Sequence, residues 1–160
     1  MRISIFCVGR MKKGAEQDLI QRYGERLKKM ASQQGFQTVN FQEISESPAQ
    51  TAPLRMQEEG KKLLETLGTG DKLIVLDERG KTMSSPAFAK QLGNWRDEAI
   101  GNVTFALGGP DGHSDEVRHR ADQLLSFGAM TWPHQIARIL LTEQLYRAMT
   151  ILSGHPYHRE

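Results

Sequence analysis

The end of the sequence concentrates ring side chains and a cation that can bind a ligand or assist a proton transfer. Its last residues are His155-Pro156-Tyr157-His158-Arg159-Glu160, which we call the tail. Ordering such side chains costs conformational entropy, and most proteins leave their last residues plain and disordered. Imidazole, phenol and guanidinium groups here therefore indicate a tail that docks and takes part in catalysis.

Further titratable residues precede the tail. His134 follows Pro133, and Glu143 and Arg147 are spaced four residues apart on a predicted helix, with Arg138 on a nearby face. Taken singly, His134 is more typical of an ordinary residue at a helix start. Glu143 and Arg147 are equally typical of a helix salt bridge. Only together with the tail do they suggest a functional cluster.

A second chemical signal is a glycine turn. The strand-like run 103–107 ends in Gly108-Gly109-Pro110-Asp111-Gly112. Two glycines without Cβ atoms let a ligand pack directly on the backbone, although a tight turn that binds nothing accounts for them equally well. The turn matches neither the phosphate-binding loop nor the dinucleotide fingerprint, which disfavours both kinds of nucleotide site.

No metal site is expected. His155 and His158 are near neighbours, but they have no cysteine and no clustered third ligand beside them. The single Cys7 lies in an apolar run and reads as a core thiol, which excludes an internal disulfide and favours a reducing compartment.

Composition is that of an ordinary globular domain. The chain has 160 residues, of which 38% are hydrophobic and 25% charged, and its net charge is +2. This length predicts a single domain, 1–160, and the charge alone does not indicate nucleic acid. We find neither a signal peptide nor a membrane span, so we expect a cytoplasmic protein without a membrane partner.

Strand and helix patterns alternate along the whole chain, which predicts an α/β fold with a mostly parallel sheet flanked by helices. The expected strands cover 2–8, 36–44, 73–76, 102–107 and 124–127. Helices are expected over 15–31, 53–67, from Ser85-Pro86 with Phe88, Leu92 and Trp95 inward, briefly after a Ser114 cap, and over 135–152.

Three predicted strands are followed by residues that are unusual for a plain connecting loop. These ends are at Leu76-Asp77, at Leu107-Gly108-Gly109 and at Phe127 through Trp132. Ligands of open parallel sheets bind outside the carboxyl ends of the strands, so these three ends should form one site. The last helix carries more apolar residues than one sheet can cover. A partner subunit is the simplest second surface for them.

These segments together resemble one family, the RlmH (YbeA) methyltransferases of the SPOUT superfamily, over the whole length. The matching stretches are Val8-Gly9, Leu76-Asp77 with Gly80-Lys81, Gly108-Gly109 with Gly112, Leu125-Ser126-Phe127, Met130-Thr131, Pro133-His134-Gln135, 143–148 and Tyr157-His158-Arg159. Asp111 and Gly128-Ala129 lie at positions that we expect to vary.

The resemblance implies a SPOUT-type fold with a C-terminal deep trefoil knot, knot and tail together occupying about 103–160. It implies S-adenosylmethionine as methyl donor and no metal. The residues that match the family's donor-contacting positions are Leu76, Gly108, Phe127, Gly128, Ala129, Met130, Thr131 and Trp132.

The implied reaction is methylation of N3 of a pseudouridine in large-subunit (23S) ribosomal RNA, by a homodimer acting on the assembled 70S ribosome. We expect His158 or Tyr157 to position or deprotonate the imide, and Arg159 to hold an oxyanion or a phosphate. Arg147, Glu143 and His134 would arrange the tail. They could belong to the same chain as the tail or to the other subunit of the dimer.

Three other functions compete with this one. They are a non-catalytic RNA-binding or ribosome-associated factor that keeps the fold, a SPOUT methyltransferase acting on transfer RNA, and a nucleotide-dependent redox or hydrolytic enzyme. The basic residues Arg22, Arg26, Lys28 and Lys29 of the first helix are candidate phosphate contacts, although such a face is usually only solvated surface.

Overall fold

The computed structural model describes residues 1–159, and five parallel strands form its sheet. The order across the sheet is β2-β1-β4-β3-β5, and every neighbouring pair is parallel. The strands are β1 Arg2–Val8, β2 Val39–Ile44, β3 Lys72–Lys81, β4 Asn102–Leu107 and β5 Gln123–Leu125. This confirms the predicted α/β class and brings all five carboxyl ends to one edge of the sheet.

Five helices cover the two faces of the sheet. They are α1 Ala15–Gln33, α2 Ala52–Leu64, α3 Ser85–Asp97, α4 Asp115–Arg120 and α5 His134–Leu152. Helices α1 and α3 pack against α5 on one face, and α2 packs with α4 on the other. Alternation along β1 serves both layers, because Ile3 and Ile5 join the first cluster while Phe6 and Val8 join the second.

Capping residues begin two of these helices. The Ser114 hydroxyl accepts a hydrogen bond from the Val117 N–H at 3.3 Å, which confirms the cap predicted for α4. Helix α3 starts at Ser85 as predicted, and its cap is the preceding Ser84, whose hydroxyl accepts from the Ala87 N–H. Pro86 then occupies the first turn, where a missing N–H costs nothing.

Two strands begin or end differently from the sequence expectation. Strand β2 begins at Val39 because Phe36 is buried under the end of α1, with its N–H donating to the Ala31 carbonyl. Strand β5 stops at Leu125 because the Ser126 hydroxyl accepts from the Gly128 N–H and turns the chain into a loop.

Strand β3 does not stop at Leu76 but continues to Lys81 through an irregular register. Leu125 is paired with Leu76 and again with Lys81, and the Ser126 N–H donates to the Lys81 carbonyl. A Cβ on Gly80 would lie only 2.6 Å from the Leu124 backbone, so this close crossing requires glycine. The C-terminal trefoil knot implied by the resemblance stays a prediction.

The apolar excess of α5 is partly covered within the chain. Leu141, Leu145 and Met149 are fully buried beneath α1 and α3, so a partner is not needed to cover them. Ile136, Ile139 and Leu140 remain half-buried. Among the described helices, none has the length and apolar character required to cross a bilayer.

Candidate active site

A cavity of about 410 Å³ opens at the carboxyl edge of the sheet. The ends of β3 and β4, the glycine turn and the loop before α5 surround it, so the three strand ends singled out in the sequence do meet. Of the predicted donor-contacting residues, seven line the cavity: Leu76, Gly108, Phe127, Gly128, Met130, Thr131 and Trp132. Ala129 is exposed and lies outside the lining.

The glycine turn forms one wall of the cavity and is held from outside. The Gly112 N–H donates to the Gly109 carbonyl at 3.0 Å, and Gly112 has a φ of 83° that a side chain would disfavour. At the tip, Asp111 accepts two bonds from Arg55 of α2, Nε at 2.6 Å and Nη2 at 3.0 Å. This two-point bridge fixes the turn against α2.

The opposite wall is the loop 126–133, which leaves large apolar groups exposed. Gly128 adopts a φ of 115°, and its carbonyl and N–H both bond the Ser126 hydroxyl. Met130 is 76% exposed and Trp132 is 43% exposed. Exposed groups of this size beside a cavity mark a surface that binds something else.

Sequence reasoning missed His113, which directly follows the glycine turn and lines the cavity. The residue is 7% exposed, and its Nε2 has no hydrogen-bond partner in the described structure. Burial lowers the pKa of His113 to about 4, so the ring is neutral near pH 7. Only its place directly after the glycine turn could have pointed to it, because an isolated histidine has no periodic signal.

An ion pair next to His113 was also missed. The Arg118 Nε donates to the Asp77 carboxylate at 2.7 Å, and both residues line the cavity. Burial alone would raise the pKa of Asp77, but Arg118 and the Arg79 N–H lower it below its usual range. Arg118 and Asp77 therefore place a positive and a negative charge side by side in the lining of the cavity.

His134 lies at the mouth of the same cavity. As the first residue of α5, it lies beside Gly9 and Glu46 of the first half of the chain. A Cβ on Gly9 would lie 3.8 Å from the His134 Nε2 and 3.4 Å from the Glu46 Oε1. The other predicted catalytic residues lie elsewhere.

The tail docks against the middle of α5. Glu143 accepts bonds from the Arg147 Nε at 2.9 Å and from the Tyr157 hydroxyl at 3.0 Å. The Arg147 Nη1 lies 3.3 Å from the His158 Nδ1. The predicted cluster of Glu143, Arg147, Tyr157 and His158 therefore exists, while Arg159 is exposed.

Aromatic stacking holds the tail in place. The Tyr157 ring lies 4.8 Å from the Tyr146 ring and 4.8 Å from the Arg147 guanidinium carbon, centroid distances typical of attraction. Burial, the Tyr23 hydroxyl and Glu143 raise the pKa of the Tyr157 phenol well above its usual range. Tyr157 is therefore a protonated hydrogen-bond donor at neutral pH.

Cavity and tail cluster are separate within one chain. His134 and Arg147 are thirteen residues apart on α5, which at a rise of 1.5 Å per residue places them roughly 20 Å apart. A second cavity of about 380 Å³ lies between, lined by Phe127 and Trp132 at one end and by Gln144 at the other. The Gln144 amide donates to Glu143 at 2.8 Å, which links this cavity to the cluster.

The first cavity fits a nucleoside-sized cofactor. Its volume lies within the range of small-molecule sites, and its walls combine glycine backbone with one orphaned polar atom, the His113 Nε2. Within residues 1–159, no three His, Cys, Asp or Glu side chains converge as they do around a metal ion.

Comparison with known proteins agrees with this geometry. The family model described as predicted SPOUT methyltransferase matches residues 1–158. Proteins named Ribosomal RNA large subunit methyltransferase H are 65% identical in Bartonella henselae, 53% in Brucella anthropi and 52% in Rhizobium etli. Each alignment covers 99% of this chain and 99% of the relative. With such a match across the sheet, the cavity and the tail cluster, the chain belongs to the SPOUT methyltransferase family.

Proposed function

We propose that the protein transfers a methyl group from S-adenosylmethionine to N3 of a pseudouridine in 23S ribosomal RNA. One observation carries the proposal: Leu76 of β3, Gly108 after β4 and Phe127 after β5 line a single cavity of cofactor size. The relatives' names supply the substrate class, ribosomal RNA of the large subunit. Transfer within the 70S ribosome and specificity for pseudouridine are parts of the same proposal.

The donor would be held by the turn and loop that form the cavity walls. Gly108 and Gly109 admit a ligand against their backbone, while Phe127 and Leu76 supply apolar contact. When bound, S-adenosylmethionine supplies an electrophilic methyl group on a sulfonium. The Arg55–Asp111 bridge keeps the turn in place before the donor arrives, which reduces the ordering cost of binding.

Hydrogen-bond donors on the tail suit the second reactant. N3 of pseudouridine is an imide nitrogen, which becomes a good nucleophile only when it loses its proton or when its developing charge is stabilised. Because a guanidinium only donates, the contact from Arg147 makes the His158 Nδ1 an acceptor and fixes the ring within the cluster, where its Nε2 is buried. We propose that His158 positions the tail and that the exposed Arg159 stabilises the imidate.

The separation of tail and cavity favours a homodimer. Reacting atoms must approach to about 3–3.5 Å, whereas Glu143 and Arg147 lie roughly 13 and 20 Å from His134 along α5. We propose that the tail cluster of one protomer completes the cavity and His134 of the other. The half-buried Ile136, Ile139 and Leu140 and the exposed Trp132 offer the apolar surface that such a contact requires.

RNA would be recognised largely by its shape and backbone. The single domain has little surface for reading sequence, which favours the context of the assembled ribosome. Arg22, Arg26, Lys28 and Lys29 are all exposed on α1 and can contact phosphates. A cavity of cofactor size disfavours a non-catalytic factor, which would have no use for a donor site.

The test is transfer of labelled methyl from S-adenosylmethionine to 70S ribosomes from a strain that lacks the homologous activity. We expect incorporation into 23S RNA and competition by S-adenosylhomocysteine. Transfer RNA is tested as a substrate in parallel. Donor binding without incorporation into 23S RNA would redirect the proposal to transfer RNA. Absence of donor binding would contradict the proposal and favour the non-catalytic factor.

A further inference from the structure

The loop after β1 carries three exposed cations in four residues. Arg10, Lys12 and Lys13 are exposed, whereas Met11 between them is half-buried. None of the three forms an ion pair with any residue in the described range 1–159. Within the described residues, their one side-chain hydrogen bond is from the Arg10 Nε to the Ser45 hydroxyl at 3.0 Å.

The base of this loop is fixed by a buried arginine. Arg138 of α5 is 2% exposed, donates to the Gly9 carbonyl at 2.8 Å and pairs with Glu43 at 2.5 Å. The Glu43 carboxylate also accepts weakly from the Met11 N–H at 3.4 Å. The cations therefore start from a rigid base, and the nearest acid along β2 is already neutralised by Arg138.

The loop stands beside the mouth of the donor cavity. Gly9, which precedes it, lies next to His134 and Glu46, and Val8 touches the glycine turn at Gly109. Glu46 faces this position without an ion pair to any described residue, and Glu16 and Asp18 follow the loop in the first turn of α1. Arg10, Lys12 and Lys13 are exposed and interrupted only by Met11, so they concentrate positive charge on the segment beside the mouth, where a target nucleotide must enter.

We infer that the loop Arg10–Lys13 binds the phosphate backbone of the RNA next to the nucleotide that enters the cavity. The inference rests on the proposed RNA substrate and adds a contact surface that is separate from α1. Lys and Arg side chains that neutralise phosphates release counterions, which makes the binding salt-dependent. Because the loop is anchored through Arg138 to α5, it would hold the RNA in a fixed relation to His134.

The experiment compares two double variants that change the net charge equally. Lys12→Glu/Lys13→Glu alters the loop, and Lys61→Glu/Lys62→Glu alters exposed residues in the last turn of α2, near the opposite edge of the sheet. Binding to purified 70S ribosomes is measured over a salt series, and S-adenosylhomocysteine binding is measured by calorimetry. Thermal unfolding controls for folding.

For the loop variant we expect about tenfold or weaker ribosome binding and a salt slope reduced by roughly 1.5, since two phosphate contacts are lost. Its affinity for S-adenosylhomocysteine should be unchanged, and the α2 variant should bind ribosomes like the wild type. Wild-type binding by the loop variant, or equal losses in both variants, would overturn the inference. Ribosome binding by the wild type without methyl transfer would contradict the proposed reaction and leave the loop result standing.

Discussion

Glu143 is the residue on which the tail cluster depends. Its carboxylate accepts from both the Arg147 guanidinium and the Tyr157 hydroxyl, and it lies on the half-buried side of α5. A carboxylate shared by two donors fixes both of them, because a charged acceptor forms the stronger bonds. The tail therefore has one anchor that can be changed without altering the size of the side chain.

Replacing that anchor should separate catalysis from donor binding. For Glu143→Gln we expect methyl transfer to ribosomes to fall on the order of 10²-fold, because the positioned donors lose their common partner. Donor affinity should stay within twofold, roughly, since Glu143 does not line the cavity and lies about 13 Å from His134 along α5. Methyl-transfer rates measure the first effect, and calorimetry of donor binding measures the second. The control variant is Glu98→Gln, at the exposed end of α3. A fall in donor affinity equal to the fall in rate would refute the separation of catalysis from donor binding.

His113 makes folding stability depend on pH. Its folded-state pKa of about 4 lies below the usual value of roughly 6.5, so between these values the unfolded chain binds more protons. This contribution to stability is present above pH 6.5 and is lost as the pH falls toward 4. We expect urea unfolding to lose about 2 kcal/mol between pH 6.5 and 5.

The matched variant is His113→Phe, which keeps a ring in the buried position and cannot titrate. Its unfolding free energy should be nearly flat across that window, while both proteins should lose stability below pH 4. There the depressed carboxyl pKa of Asp77 takes over, because Arg118 no longer faces a charged partner once Asp77 is protonated. An equal slope for the two proteins between pH 6.5 and 5 would assign the effect to other groups.

The tail packs on the surface of α5 and is not part of the core. Its packing consists of Tyr157 against Tyr146 and Arg147, and no residue from 155 to 159 is buried in the core. Loss of one such aromatic contact costs about 1 kcal/mol beyond the area it buries. Folding should therefore survive removal of the tail.

Truncation after Gly154 tests this separation. We expect the shortened chain to fold cooperatively and to bind S-adenosylhomocysteine with nearly unchanged affinity, because none of the residues 155–159 lines the cavity. Methyl transfer should be abolished. Calorimetry, thermal unfolding and labelled transfer check the three statements, and full activity of the truncated protein would show that the tail has no catalytic part.

The elements were predictable where a local pattern decides them. Apolar runs located the strands, and the rule that ligands bind at carboxyl edges brought Leu76, Gly108 and Phe127 together correctly. The extension of β3 to Lys81 was not predictable, because it depends on pairing with Leu125 far along the chain. His113 and the Asp77–Arg118 pair were missed for the same reason, since tertiary packing alone gives them their place.

For the whole molecule, the two halves of the catalytic set define the expected assembly. His134 lies at the cavity, whereas Glu143, Arg147, Tyr157 and His158 lie farther along α5. A C2 dimer would repeat each contact twice and create two equivalent sites. Each site would then require one intact cavity and one intact tail from different chains.

Mixed dimers distinguish this arrangement from sites made within one chain. We combine a subunit carrying His134→Ala with a subunit truncated after Gly154, using different affinity tags to purify the heterodimer. If tails cross, one of its two sites is complete, and activity should return although each parent homodimer is inactive. Continued inactivity of the heterodimer would place each tail in the site of its own chain.

The most direct test of the central claim identifies the product. Assembled 70S ribosomes and free 23S RNA, both lacking the modification, are incubated with the protein and S-adenosylmethionine. The RNA is then digested and analysed by mass spectrometry. We predict N3-methylpseudouridine at a single position, formed in assembled ribosomes and not in free RNA. A methyl group on another atom or nucleotide, or none at all despite donor binding, would contradict the account.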